Sequence, residues 1–341
     1  MSKEVEAAQK ALEALLKSGT VVNMKKNPVK THLVRSDKPS MNYVTDGGYP
    51  VGKMMIFAGE KSAGKTTLAI QEAPTIARET AKLKGRDDDG RILFLDNERT
   101  TTTDFIETLG QNPNIFFLHK VDTTESMMDM ARQLAPAFDL VIIDSLNNSA
   151  SAEQMQKSAG ERTMANRAQV MTDQLPIIVG LCDRVQTSLI ILSQIRENMN
   201  KANKYSPDFI IPGGQSFHHN SSLTLEMFPS TKLKVDAGSA MELYKTTTGQ
   251  MTRIVCSKNK NGKRDRQVSL ELEYGKGFSM EADVISSAAR LNLIERKGSW
   301  YSYDGTSLGQ GMDKVKETLA DNPELLELLK KEIEEIDLKS E

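Results

Sequence analysis

The segment Gly59-Glu60-Lys61-Ser62-Ala63-Gly64-Lys65-Thr66 matches the pattern G-x-x-x-x-G-K-[ST] at every position. An apolar stretch, residues 54–58, precedes it, and a helical pattern over residues 65–82 follows. A glycine-rich loop between a strand and a helix directs backbone N–H groups and the positive end of the helix at phosphate oxygens. We therefore expect this segment and Thr67 to bind a nucleotide, with Lys65 at the β/γ-phosphates and the Thr66 hydroxyl on Mg²⁺.

The flanking sequence predicts the sheet that carries this loop. Between residues 52 and 193, short apolar runs alternate with longer helical patterns, which is typical of parallel strands joined by crossover helices. After about Gly213, strand-like segments follow one another without helices, at residues 222–227, 241–244, 252–257 and 267–272. We predict an α/β fold with a mostly parallel central sheet and an antiparallel extension.

The two ends of the chain differ from this core. Lys3–Lys17 places apolar side chains at helical spacing, and residues 20–50 are polar and broken by prolines and glycines. From about Glu281 the pattern is helical with one aromatic turn, and residues 321–341 are acidic. We predict a helical oligomerisation arm at residues 1–33, an irregular connector, the core at 34–280, and a small α+β domain with a short acidic tail at 281–341.

Composition narrows the class of protein. Charged residues make up 26% of the chain and apolar residues 38%, which is typical of a folded globular protein. The 44 basic and 46 acidic side chains nearly cancel, so net charge alone indicates no nucleic-acid partner. Two cysteines, Cys182 and Cys256, cannot form a disulfide framework, and the sequence has neither a signal-peptide core nor 18 consecutive apolar residues. We expect a cytoplasmic protein with no membrane partner.

Two acidic residues follow further predicted strands. Asp144 ends the run Leu140-Val141-Ile142-Ile143-Asp144, and Glu98 lies just beyond the strand at residues 91–95. The carboxyl ends of parallel strands meet at one edge of the sheet, the edge that carries the phosphate loop. We expect Asp144 to hold Mg²⁺ beside Thr66. A carboxylate at Glu98 could orient or deprotonate an attacking water, or could lie in a solvated loop.

With these residues in place, the chain from about Val51 to Glu335 resembles the bacterial RecA recombinase family. Its strand Leu189-Ile190-Ile191-Leu192-Ser193-Gln194 resembles the one whose glutamine senses the γ-phosphate. Gly213-Gly214-Gln215-Ser216 is similar to the turn after the second DNA-binding loop, and Lys258-Asn259-Lys260 to the family's K-N-K. The most specific likeness, to the opening of the RecA carboxy-terminal domain, is carried by Leu293-Ile294-Glu295-Arg296-Lys297-Gly298-Ser299-Trp300-Tyr301-Ser302-Tyr303-Asp304-Gly305 and then Leu308-Gly309-Gln310-Gly311.

The resemblance implies a RecA-like P-loop core and a DNA-dependent ATPase that uses ATP and Mg²⁺. Such a recombinase forms a helical filament on single-stranded DNA, pairs it with homologous double-stranded DNA and exchanges strands. The resemblance also implies DNA repair, the SOS response, and single-strand-binding and loading proteins as partners. Carried over to this sequence, Glu98 is the water-activating base and Gln194 links the γ-phosphate to the following loop. Lys258 and Lys260 reach the neighbouring subunit's ATP, and Phe105 and Tyr274 contact the nucleotide.

Two long polar loops at the predicted functional edge are candidates for DNA binding. Residues 197–212 combine lysines, asparagines and aromatics, which suits phosphate contact and base stacking, and the other loop spans residues 149–164. For each, a surface loop without a ligand is the alternative. The candidate DNA-binding residues are Arg162, Met164, Arg167, Arg196, Met199, Lys201, Gly213, Gly214 and Gln215.

The sequence also departs from the family. Glu60-Lys61-Ser62-Ala63 replaces the usual Pro-Glu-Ser-Ser, a run of threonines follows Glu98, and His218 and His219 follow the Gly-Gly turn. These departures indicate a divergent member and suggest a phage or a mobile element as its origin. Two alternative functions stay open: a hexameric DNA motor with the RecA fold, and a non-exchanging, DNA-coating scaffold that signals to a protein partner. A P-loop small-molecule kinase is a third, which the lysines at 258 and 260 do not suit.

Overall fold

The computed structural model of this chain describes residues 3–21, 23–25, 30–145, 164–198, 208–235 and 246–340. The chain divides into two compact units, 1–32 and Leu33–Glu341. The first contains helix α1 (Lys3–Lys17), as the sequence predicts, and its apolar side chains Val5, Leu12, Leu15 and Leu16 are exposed. The division into three domains stays a prediction.

The second unit is built on a nine-stranded sheet. In chain order its strands and those of two small ribbons are β1 (Leu33–Val34), β2 (Tyr49–Pro50), β3 (Met54–Gly59), β4 (Ile92–Asp96), β5 (Phe116–Lys120), β6 (Leu140–Asp144), β7 (Ser188–Gln194), β8 (Arg196–Glu197), β9 (Phe209–Ile210), β10 (Ser221–Val235), β11 (Thr246–Asn259), β12 (Gln267–Glu273) and β13 (Gly277–Phe278). The helices around it are α2 (Pro39–Thr45), α3 (Lys65–Leu83), α4 (Thr103–Thr108), α5 (Thr124–Leu134), α6 (Met164–Val185) and α7 (Gly214–Asn220).

The strand order of this sheet is β13-β12-β11-β10-β3-β7-β6-β4-β5. Strands β10, β3, β7, β6, β4 and β5 pair in parallel, whereas β10, β11, β12 and β13 pair antiparallel. The predicted α/β fold, with a mostly parallel core and an antiparallel extension, is therefore confirmed. The candidate strand at residues 241–244 lies outside the described residues.

Two hydrophobic clusters cover the two faces of the sheet. Alternate residues of β3 enter opposite clusters: Met55 and Phe57 pack with α2 and α3, and Met54 and Ile56 pack with α5, α6 and α7. All four side chains are fully buried. This explains why β3 is apolar throughout, since a strand covered on both faces has no polar side.

The last part of the chain has its own hydrophobic cluster. It comprises α8 (Met280–Arg290), the antiparallel strands β14 (Ile294–Lys297), β15 (Trp300–Tyr303) and β16 (Thr306–Gln310), and the helices α9 (Met312–Ala320) and α10 (Pro323–Ser340). The expected small α+β region is therefore present.

Two local predictions were wrong in detail, and one strand was missed. The aromatic segment at Trp300 is a strand, not a turn, and buries Tyr301 while it exposes Trp300. The segment predicted to be an irregular connector contains β1, α2 and β2, and α2 is almost entirely buried. Strand β5 was not predicted, because it forms the sheet edge and four of its five residues are exposed.

Among the described residues, we find no helix with the length and apolar character needed to cross a membrane.

Candidate functional site

The phosphate loop connects β3 to α3, as the sequence predicts. Gly64 has φ +86°, and a side chain there would meet Leu272 and Phe278 at 2.9 Å, so both the turn and its packing require glycine. The Lys65 ammonium donates to the carbonyls of Gly59 (3.1 Å) and Glu60 (2.8 Å). Burial lowers the pKa of Lys65, against the opposing effect of nearby carboxylates. A cation held inside a loop of N–H donors is suited to bind phosphate.

Asp144 lies beside this loop, at the end of β6. The Thr66 hydroxyl donates to Asp144 Oδ2 at 2.7 Å. Burial, reinforced by the carboxylates of Glu98 and Asp96, raises the pKa of Asp144 to about 7, although Thr66 and Lys65 oppose the shift. The carboxylates of Asp96, Glu98 and Asp144 therefore lie close to one another beside Lys65. Hard oxygen ligands fit Mg²⁺, which Thr66 and Asp144 would hold.

Glu98 contacts two residues of neighbouring strands. Its Oε1 accepts hydrogen bonds from Ser145 Oγ (2.8 Å) and from Gln194 Nε2 (3.3 Å). Asp96, fully buried at the end of β4, orients the following turn because its carboxylate accepts the N–H groups of Arg99 (2.7 Å) and Thr101 (3.0 Å). The structure thus brings Glu98, Asp144 and Gln194 together at one edge of the sheet.

The predicted nucleotide-binding residues surround one cavity of about 680 Å³. Phe105 and Tyr274 line the same cavity as the phosphate loop. The Tyr274 hydroxyl bonds to Gln250 Oε1 (3.0 Å), and Gln250 Nε2 donates to the Ser62 carbonyl (2.8 Å). The predicted residues on its wall are Lys61, Ser62, Gly64, Lys65, Thr66, Thr67, Glu98, Phe105, Asp144, Gln194 and Tyr274. Gly59 and Glu60 contribute the carbonyls that hold Lys65, and Ala63 is buried beneath the loop.

Lys258 and Lys260 lie elsewhere, at the C-terminal end of α7. The Lys258 ammonium contacts the carbonyl of His218 and the hydroxyl of Ser221, and the Lys260 ammonium donates to the carbonyl of His219 at 2.8 Å. Partial burial and then the charge of Lys260 lower the pKa of Lys258. Neither lysine lines the cavity of its own chain. Their predicted role is at a neighbouring subunit's nucleotide, which a single chain does not test.

The candidate DNA-binding residues are described only in part. Arg196 is exposed on β8, which pairs with β9 and so closes the base of the second loop. Gly213 and Gly214 have φ values of +136° and +74° and begin α7. The backbones of Met164, Arg167 and Gln215 lie in helices, but their side chains are outside the described part of the structure. Arg162, Met199 and Lys201 lie outside the described residues altogether.

Three residues of the site were not predicted from the sequence. Ser145 follows Asp144 directly and bonds to Glu98, so its position after the strand was an available signal. Asp96 ends β4 and was also visible as an acid after an apolar run. Gln250, in contrast, reaches Ser62 from a strand that is 188 residues away in the sequence, and no local pattern indicates that contact.

The strand order, the phosphate loop and the acids at the carboxyl edge of the parallel strands together define a class, the α/β P-loop nucleotide-binding proteins. A family model described as the RecA N-terminal domain matches residues 3–279, and one described as the RecA C-terminal domain matches residues 282–336. The chain therefore belongs to the RecA family.

Similarity to individual RecA proteins extends over nearly the whole chain. The Protein RecA of Porphyromonas gingivalis is 28% identical over 340 residues, which cover 98% of this chain and 94% of that protein. The Protein RecA of Bacillus subtilis is 26% identical over 338 residues, or 97% and 91% of the two chains. The family generally binds ATP, Mg²⁺ and DNA, forms filaments, and has DNA-dependent ATPase activity.

Proposed function

We propose that this chain is an ATP-dependent recombinase that forms a helical filament on single-stranded DNA and exchanges strands with a homologous duplex. One contact carries the proposal, the hydrogen bond of 3.3 Å between Gln194 Nε2 and Glu98 Oε1. It joins the candidate water-activating carboxylate to the last residue of β7. Arg196, two residues later, begins the ribbon β8–β9 at the base of the candidate DNA-binding loop. A change at the nucleotide can therefore reach the DNA-binding segment through very few residues.

In this proposal, different residues of the cavity have different roles in ATP hydrolysis. Glu98 would orient a water toward the γ-phosphorus and accept its proton as the bond to the leaving ADP breaks. Lys65 and the N–H groups of the loop would stabilise the charge on the transferring phosphoryl group. Mg²⁺, when bound by Thr66 and Asp144, would neutralise phosphate charge. Phe105 and Tyr274 would hold the base against two aromatic faces.

Gln194 would couple this reaction to DNA. When ATP is bound, its amide, which donates to Glu98 Oε1 in this structure, would shift to contact the γ-phosphate. Because Ile195 N–H also bonds to the Gly59 carbonyl, at 3.2 Å, the path from the phosphate loop to β8 is short and continuous. Among the predicted DNA contacts, Arg196, Met199 and Lys201 belong to the segment that this movement would reach first.

Two exposed apolar surfaces support assembly into a filament. The arm helix α1 exposes Leu12 and Leu15, and the edge strand β5 exposes Phe117 and Leu118. We propose that the arm of one subunit, residues 1–33, packs on the edge strand of the next. Such a head-to-tail contact joins two different surfaces, so it generates an open helix when the rotation does not close. We propose that Lys258 and Lys260 of one subunit reach the ATP of its neighbour in the same filament.

The test combines two measurements on the full chain. We expect ATP hydrolysis to increase with single-stranded DNA, and a Glu98→Gln variant to bind ATP while its kcat falls by about 100-fold or more, since a positioned base contributes roughly that factor. Strand exchange between a homologous single strand and a duplex should require ATP. Filaments that bind DNA without exchange would reduce the proposal to a coating role, and closed rings in electron micrographs would replace it with a motor.

A further inference from the structure

A short buried helix, α2, ends beside the loop that follows Lys258 and Lys260. Its last turn is closed by Asp46, which has φ +56° and a side chain only 12% exposed. The Asp46 carboxylate forms an ion pair with Arg266 (2.9 Å) and accepts the Lys263 N–H (2.7 Å). At Gly262, a side chain would come within 2.3 Å of Asp46 Oδ2, so the loop backbone lies directly on the carboxylate.

Two further contacts attach both ends of this loop to α2. The Asn259 amide donates to the Thr45 carbonyl at 2.7 Å, at the point where the loop begins. Where the loop ends, Arg266 donates to the Tyr43 carbonyl at 2.9 Å, and its guanidinium lies 4.7 Å above the centre of the Tyr43 ring. Neither end of the loop can shift without breaking a contact with α2.

The contacts between this loop and α2 matter because the loop begins at Lys258 and Lys260. Asn259 lies between Lys258 and Lys260, whose ammonium groups extend to the carbonyls at the C-terminal end of α7. Lysine is a long, flexible side chain, so holding its ammonium at one place costs conformational entropy, and a mobile backbone beneath it would add to that cost. Helix α2 fixes that backbone from the opposite side.

We propose that Asp46 and Tyr43 are positioning residues for Lys258 and Lys260, and that they set the rate at which the neighbouring subunit hydrolyses ATP. This rests on the proposed function, in which the two lysines act across the subunit interface. Neither Asp46 nor Tyr43 lines the nucleotide cavity of its own chain. They act by keeping the Lys258-Asn259-Lys260 backbone in one position, which lowers the entropic cost of placing two ammonium groups at the transferring phosphate.

The primary variant is Asp46→Asn. Asparagine has the same shape and tolerates positive φ, but it cannot form the ion pair with Arg266. We expect kcat of the DNA-dependent ATPase to fall roughly tenfold with KM for ATP little changed, and the unfolding midpoint to fall because Arg266 loses its partner. The matched control is Asp265→Asn, in the same loop, because the Asp265 side chain is 73% exposed and pairs with Arg264, not with α2. This control should retain wild-type kcat.

Mixing subunits tests whether the defect acts in trans. A Lys65→Ala chain lacks its own phosphate-binding lysine but supplies intact Lys258 and Lys260 to a neighbour. In mixed filaments, the intact phosphate loop of an Asp46→Asn chain would face those lysines, so the activity of the mixture should exceed the sum of the two separate activities. A chain that is merely misfolded, or damaged in its own cavity, would not be rescued in this way.

The Lys258→Ala/Lys260→Ala variant separates the two levels of the proposal. If it keeps wild-type ATPase activity, the proposed function is wrong about the interface. A second result would overturn only the positioning role. In that result, the double variant loses ATPase activity and regains it when mixed with Lys65→Ala, whereas Asp46→Asn either has the activity of its control or is not rescued by mixing. Should Asp46→Asn fail to fold, Arg266→Lys replaces it, because lysine keeps the charge but loses the planar contacts with Tyr43. We expect Arg266→Lys to lose ATPase activity and to regain it in filaments mixed with Lys65→Ala. Wild-type activity of Arg266→Lys alone would overturn the positioning role.

Discussion

At the residue scale, Asp283 shows how a buried acid is held without a full set of partners. Its Oδ2 accepts the Ser40 N–H at 3.2 Å, and the residue is almost fully buried between α8 and α2. Burial raises the pKa of Asp283 to about 6; Ser40 and Lys38 reduce that shift, and Glu72 adds to it. Compared with the unfolded chain, the folded chain therefore favours the protonated carboxyl, which predominates below about pH 6.

This shift predicts the pH dependence of stability. An aspartate in the unfolded chain titrates near 4, so the stabilisation from Asp283 is complete below about pH 4 and is lost as pH rises through about 6. Asp283→Asn stays neutral, and its free energy of unfolding should rise relative to wild type by on the order of 2 kcal/mol between pH 4 and pH 7. Urea unfolding at a series of pH values measures this difference. Asp313→Asn is the control, because that side chain is 95% exposed, and a difference independent of pH would contradict the prediction.

At the scale of elements, the start of α7 depends more on Gly213 than on Gly214. Gly213 has φ +136°, and a side chain there would come within 2.7 Å of the Phe217 ring, which is fully buried. Gly214 also has a positive φ, +74°, but a side chain there would meet nothing within 4 Å. Gly214 is therefore required by its backbone conformation alone, whereas Gly213 is required by its backbone conformation and by its packing against Phe217.

We expect Gly213→Ala to be the more damaging of the two substitutions. Gly214→Ala should cost about 1–2 kcal/mol from the backbone conformation alone. Gly213→Ala adds a steric conflict of about 1–3 kcal/mol. Because Phe217 would have to move, the carbonyls that hold Lys258 and Lys260 would move with α7. Denaturant unfolding and DNA-dependent ATPase measured on both variants check the order, and equal effects would show that packing against Phe217 is unimportant.

The elements that the sequence predicted well are those with buried strands. The middle residues of strands β3, β6 and β7 are apolar because both faces of the sheet are covered, and this pattern is visible without a structure. Strand β5 was missed because its Phe116-Phe117-Leu118-His119-Lys120 sequence neither alternates nor is buried. The phosphate loop, Asp144 and Glu98 were predicted from local patterns, and Gln194 from the resemblance to a family strand. The α2 contacts were not, since Asp46 and Arg266 are brought together only by the fold.

At the scale of the whole molecule, α2 also lies against the last helix. A second guanidinium, that of Arg290, lies 4.4 Å above the Tyr43 ring and bonds to the Asp337 carboxylate of α10 at 2.9 Å. Tyr43 is therefore in contact with two arginines, one from the loop beside Lys258 and one from α8. The packing connects the C-terminal region to the loop that carries the interface lysines, through contacts within one compact unit.

The assembly of many copies depends on surfaces that a single chain leaves exposed. Leu118 on the edge strand β5 is 42% exposed, and we have proposed it as part of the surface that receives the arm of the next subunit. Leu118→Lys would place a charge in that apolar contact, which costs several kcal/mol when the charge is buried without a partner. Leu118→Lys should therefore abolish the filaments seen by electron microscopy. Deletion of residues 1–33 should have the same effect. Each variant should keep the unfolding transition of a folded monomer. Leu338→Lys introduces the same charge at a leucine of α10 that is 52% exposed, and its filaments should persist. Filaments formed by Leu118→Lys would exclude β5 from the interface, and filaments formed after deletion of the arm would exclude α1.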